Sequence, residues 1–264
     1  MERSVLNEIM GSLDNYQSVQ AYHSVFEAYY NAFVEYNTDG GNDEVIDMLK
    51  RRLFLPLNLS SNTDGVLVVG ANPSFDEQND RRENFMKTTK ELYYKPEGHW
   101  KEVKELACVV PEHPGAYLDL FPIKQTSLGE FEKIFRTHSD IRAKMLQVTH
   151  ERLLAIHPKV IISLFAMTSY YWGFKPDATD FCNEKNPWMG YKFKKIEAVG
   201  LDAYKIFGWT DNDKVILEND PAKRLTNEPI IIFNTKAWDK QIRQKKMVTP
   251  EKLIRLLHDL HIDL

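Results

Sequence analysis

Four apolar runs in this chain end in residues that could do chemistry. "VLVVG" runs into Asn72, "AYLDLF" (116 to 121) contains Asp119, "PKVIISLF" (158 to 165) is followed by Thr168 and Ser169, and "EPIIIFN" (228 to 234) closes on Asn234. An amide such as Asn72 can orient a water molecule but is a poor general base, and an ionised carboxylate such as Asp119 accepts hydrogen bonds only. In an open α/β sheet, ligands bind at the carboxyl ends of the strands, so residues far apart in sequence can meet there. The stretch "DGVLVVGANPSFDEQND" (64 to 80) has that form, a buried strand stopped by a glycine and an Asn-Pro turn.

Other site chemistries lack their signatures. The chain has no G-x-x-x-x-G-K-[ST] loop, no G-x-G-x-x-G and no G-x-S-x-G elbow. Its eight histidines form no H-E-x-x-H, which disfavours zinc. His150 and His157, in "THERLLAIH", read as packing or helix-surface residues. Cys108 and Cys182 are the only two cysteines, too few for a disulfide framework or an iron–sulfur cluster. No apolar stretch reaches the roughly 18 residues of a membrane span. The first residues, "MERSVLNEIM", carry acid and amide where a signal peptide would be apolar, so the expectation is a cytoplasmic protein without membrane, metal or organic cofactor.

The elements that position these residues follow from periodicity. At 43% hydrophobic and 12% aromatic, the 264 residues can build a sizeable core. Residues 5 to 36 carry apolar side chains at helical spacing (Leu6, Ile9, Met10 and Leu13, then Val25, Phe26, Tyr29 and Phe33). They predict an N-terminal helical extension over 1–60, packed on an α/β domain over 61–264. The four β-rich runs alternate with helix-like segments, among them "HWKEVKELACVV" and "HSDIRAKMLQVTHERLLAIH". This pattern predicts a three-layer α/β/α sandwich with a mostly parallel central sheet of about four strands. "YKFKKIEAVG" and "AYKIFGWT" read as an inserted or edge β-element. "TPEKLIRLLHDLHI" predicts a closing helix, with Thr249 as N-cap and Pro250 in the first turn. The net charge of −4 argues against a dedicated nucleic-acid coat protein. "KAWDKQIRQKK" (236 to 246) is the densest basic stretch, and as a solvated helix face it has an ordinary reading too.

"VLVVGANPS" resembles the first motif of the uracil-DNA glycosylase superfamily, a strand followed by a G-x-N/D-P turn. "HWKEV", "YLDLFPIK", "HPKVIISLF" and "PIIIFN" resemble, in order, later segments of its mismatch-specific and single-strand-selective branches. The resemblance covers roughly residues 64 to 245. It implies hydrolysis of the N-glycosidic bond of a base in DNA, with Asn72 holding the attacking water and Asn234 stabilising charge on the departing base. It also implies a base pocket lined by Gly70, Ala71, Pro73 and Ser74, with Phe75 or Phe85 stacked on the base, and with Asp119 where relatives carry a base-reading amide. A carboxylate there favours an amino donor over a carbonyl; alternatively Asp119 is a buried aspartate capping a loop. The last motif reads Asn234-Thr235-Lys236-Ala237-Trp238, without the Pro-Ser pair of the superfamily. Lys236 could contact phosphate or stabilise charge, and Trp238 is a wedge into the base stack or a core side chain. The rival expectations are a catalytically inactive module of the same fold that binds a nucleotide, base or protein, and a generic α/β sheet of unrelated function.

Overall fold

A computed structural model describes residues 65–72, 99–110, 115–121, 123–125, 127–135, 139–165, 168–174, 189–197, 200–210, 220–234 and 247–262. The expected helical extension over 1–60 and the basic stretch 236–246 lie outside them. The strands are β1 (Val66–Gly70), β2 (Ala116–Asp119), β3 (Val160–Ser163), β4 (Tyr191–Ile196), β5 (Ala203–Trp209) and β6 (Ile230–Phe233). The helices are α1 (His99–Ala107), α2 (Leu128–Phe135), α3 (Ser139–Ile156), the short α4 (Ser169–Trp172) and α5 (Pro250–Asp259).

The four runs read as strands become β1, β2, β3 and β6, and these four are mutually parallel where they pair. Among the described residues the sheet has six strands, in the order β2-β1-β3-β6-β5-β4, where the sequence predicts about four. The two additional strands are the expected edge element: β5 runs antiparallel to β6, and β4 antiparallel to β5 with a bulge at Lys192/Phe193. Their half-exposed alternation separates them from the continuously buried central runs. β4 lies at the sheet edge and exposes Lys192, Lys194 and Lys195, a charge pattern that blunts an edge against pairing with another strand.

Successive side chains of a strand point to opposite sheet faces, and the core divides accordingly. Val66, Val68, Val160 and Ile162 pack with Val103 and Leu106 of α1 and with Leu253, Leu256 and Leu257 of α5. Leu67, Val69, Ile161 and Ile231 pack instead with Phe131 and Phe135 of α2 and with Met145, Leu146 and Leu153 of α3. The closing helix starts as expected: Thr249 Oγ1 accepts from the Lys252 backbone N–H at 3.4 Å, and Pro250 opens the first turn. Removing that cap by Thr249→Ala is expected to lower stability by about 1 kcal/mol, read as an earlier midpoint in urea unfolding; an unchanged midpoint would show the cap idle.

The chain leaves β1 to pair with β2 on one side, then returns to place β3 on the other. Such a reversal opens a crevice at the carboxyl ends of the two inner strands. Here those ends are Gly70 and Ser163.

Candidate functional site

Backbone hydrogen bonds carry the strand pairing past the strand ends and fix the segment after β1. Leu120 N–H donates to Gly70 O at 3.1 Å, Phe121 N–H to Ala71 O at 2.9 Å, and on the other side Leu164 N–H to Val69 O at 2.9 Å. The turn Gly70-Ala71-Asn72 is thereby laced to residues 119–121. The carbonyls of Gly70 and Ala71 serve this lacing. Asn72 is half-buried and its Nδ2 donates to Gln125 O at 3.0 Å, which assigns the amide: nitrogen toward Gln125, oxygen on the other branch.

Gly70 and Asp119 are register partners. The Asp119 side chain occupies the space over Gly70 that any other residue would fill: a Cβ on Gly70 would lie 2.1 Å from Asp119 Oδ1 and 2.4 Å from the Tyr117 hydroxyl. The Tyr117 hydroxyl donates to Asp119 Oδ1 at 2.8 Å, and Trp100 of α1 packs edge-on against the Tyr117 ring at 5.0 Å. Asp119 is 4% exposed. Its Oδ2 is buried and has no hydrogen-bond partner among the described residues. Burial pushes the carboxyl up to about 7, against the opposing pull of the Tyr117 hydrogen bond. Burial first, and then the Asp119 charge, hold the Tyr117 phenol well above its ordinary value, so it stays a donor.

The remaining sequence candidates divide. Asn234 is fully buried beyond β3, two strand positions from β1, or about 10 Å at ordinary strand spacing. Its backbone N–H continues the β3 pairing to Ser163 O at 2.8 Å. Its Oδ1 accepts from the Val248 N–H at 3.2 Å, which ties down the segment entering α5. Its Nδ2 has no partner among the described residues. The structure thus pairs Gly70, two residues before Asn72, with Asp119 and sets Asn234 apart. Thr168 Oγ1 donates to Phe165 O at 2.6 Å and meets Ser163 Oγ, so both hydroxyls close the turn between β3 and α4. Pro73, Ser74, Phe75, Phe85, Lys236 and Trp238 lie outside the described residues.

His150 is a packing residue, as the sequence suggests. It is buried, stacks on Tyr191 and contacts the Tyr191 hydroxyl, which accepts from Leu225 N–H at 3.1 Å. Burial, with the Arg224 charge second, drives the imidazole down to about 3. The tyrosine therefore donates to a neutral ring. Sequence reasoning missed Tyr117 and the space reserved above Gly70. Tyr117 and Asp119 are two residues apart on one strand, which puts both on one face, and that spacing was the available signal.

No family model matches the chain, and neither does any curated protein. Among the described residues no three His, Cys, Asp or Glu side chains gather to hold a metal ion, and no helix is long and apolar enough to cross a membrane.

Proposed function

We propose that the chain is a uracil-DNA glycosylase-like protein, hydrolysing the N-glycosidic bond of uracil or another base in DNA, in the cytoplasm and without metal or organic cofactor. The observation that carries this reading is the pairing of Gly70 with Asp119, continued by the hydrogen bonds from Leu120 and Phe121 to Gly70 and Ala71, beside the switch point between β1 and β3. Asn72 holds the attacking water through its amide oxygen, while the Gln125 carbonyl fixes the amide's orientation. An amide cannot take the water's proton efficiently, so the reaction leans on departure of the base and on a sugar with oxocarbenium character. Asp119 reads the base edge. Pro73, Ser74 and either Phe75 or Phe85 complete the base pocket, and Lys236 contacts a phosphate. The two core clusters, on opposite faces of the sheet, support a three-layer α/β/α sandwich as the setting for this site.

Asn234 favours a second reading. Its Oδ1 is committed to Val248 and it lies two strand positions from β1, which suits a module that binds a base or nucleotide without turning it over. Base release from single- and double-stranded oligonucleotides carrying uracil, hypoxanthine, mismatched thymine or modified cytosines separates the two. Release by the wild type, reduced about 10²-fold or more in Asn72→Ala, supports the enzyme. No release from any substrate by the folded wild type moves the assignment to the binding module.

A further inference from the structure

Asp119 Oδ2 is a polar atom inside the protein without a protein partner among the described residues. Buried polar atoms almost always find partners, and leaving one without costs stability. This atom stands at the carboxyl end of β2, next to the last residue of β1, beside the crevice. Oδ1 is partly used, accepting the Tyr117 hydroxyl with one lone pair and keeping another. The room Oδ1 occupies exists because residue 70 lacks a side chain.

Resting on the base-hydrolysing reading above, we propose that Asp119 selects the base through the proton on Oδ2: as a carboxylic acid it pairs with a lactam edge, an N–H beside a C=O, and as a carboxylate with an edge bearing an amino group. In the acid form Oδ2–H donates to the base carbonyl while the second lone pair of Oδ1 accepts the base N–H. In the ionised form both oxygens accept, and an amino group is the matching donor.

The surroundings allow both forms near neutral pH. From β1, Gly70 and Asn72 bring no charge. From β2 the titratable neighbour is Tyr117. The α1 helix, packed on both strands, carries Lys101, Glu102, Lys104 and Glu105, with Glu102 and Lys104 half-buried and the other two exposed. On α3, which meets β2, Arg142 and His150 are buried. The balance at Asp119 is set by burial and the Tyr117 hydroxyl, with no cation among the described residues holding it ionised.

The test compares uracil with cytosine in one single-stranded oligonucleotide sequence at pH 6 and pH 8.5, using full-length wild type and Asp119→Asn. With a carboxyl titrating at about 7, some nine-tenths is protonated at pH 6 and about one-thirtieth at pH 8.5. The wild-type preference for uracil over cytosine should therefore fall about 300-fold across that range, uracil losing about 30-fold and cytosine gaining about 10-fold, and the Asp119→Asn preference should not move. The preference is read twice, as rates of base release and as binding of the same sequences with 2′-fluoro sugars that resist hydrolysis. A preference that shifts in binding without any release supports the inference and removes the glycosylase reading. A preference that does not shift in either readout, or that shifts equally in Asp119→Asn, overturns the inference; release that continues meanwhile leaves the glycosylase reading standing.

Discussion

Asp119→Asn is expected to gain stability on the wild-type chain as pH rises, by about 2.7 kcal/mol between pH 5 and pH 8. The folded state holds the Asp119 proton more tightly than the unfolded chain does, because burial raises the carboxyl from 3.8 to about 7. A raised acid contributes its full stability below the unfolded value and loses it as pH climbs to the folded one. From pH 5 to about 7 the wild type gives up roughly 1.36 kcal/mol per unit, and above that the loss levels off. Asparagine does not titrate, and its Oδ1 can still accept the Tyr117 hydroxyl. Near pH 5 the two proteins should be similar, since each places a donor group where Oδ2 now sits, one O–H in the acid and an NH2 in the amide. Urea unfolding of both proteins at pH 5, 6, 7 and 8 gives the difference directly. A difference flat across this range would mean that Asp119 is ionised throughout, and with it the neutral form would go.

Gly70→Ala is the second large effect, and it tests space where Asp119→Asn tests charge. A methyl group 2.1 Å from Asp119 Oδ1 and 2.4 Å from the Tyr117 hydroxyl cannot be accommodated without movement. Asp119 is buried on a strand paired with β1, so its carboxyl cannot swing to solvent. The expected cost is about 3 kcal/mol, the upper end for an overpacked interior, together with loss of any base release. Coupling provides the control. In a Tyr117→Phe/Asp119→Ala background both oxygens are gone, and Gly70→Ala should lose most of its cost. An equal cost in both backgrounds would place the strain in the backbone of β1 instead.

How far the sequence reveals this arrangement depends on the element. The central strands were legible because burial on both faces demands unbroken apolar runs, and Val66–Val69 and Val160–Ile162 have them. The closing helix was legible because Thr249 and Pro250 are local start signals. The place of β4 and β5 in the sheet was harder to read, since half-exposed strands mix lysines with aromatics. The candidate site was legible as a set of strand ends but not as a geometry. Lateral strand order is written in no local pattern, and it is this order that keeps Gly70 beside Asp119 and puts β3 between Asn72 and Asn234. The unsatisfied Asp119 oxygen was illegible for the same reason, because burial is a property of the assembled sheet.

Strand order also sets when the crevice can exist. Val66 pairs with Val160, and Val160 with Ile230. Contacts that join such distant residues close slowly, because the intervening chain must be ordered before they form. During synthesis the Gly70 turn emerges early but has no β3 wall until residues past 160 are out, and that wall is unpaired on its far side until β6 follows. The strand that leads into the proposed water-holding residue is therefore the first of the described strands to emerge, and after pairing with β2 it still waits for its second neighbour before its chemistry has a place to happen.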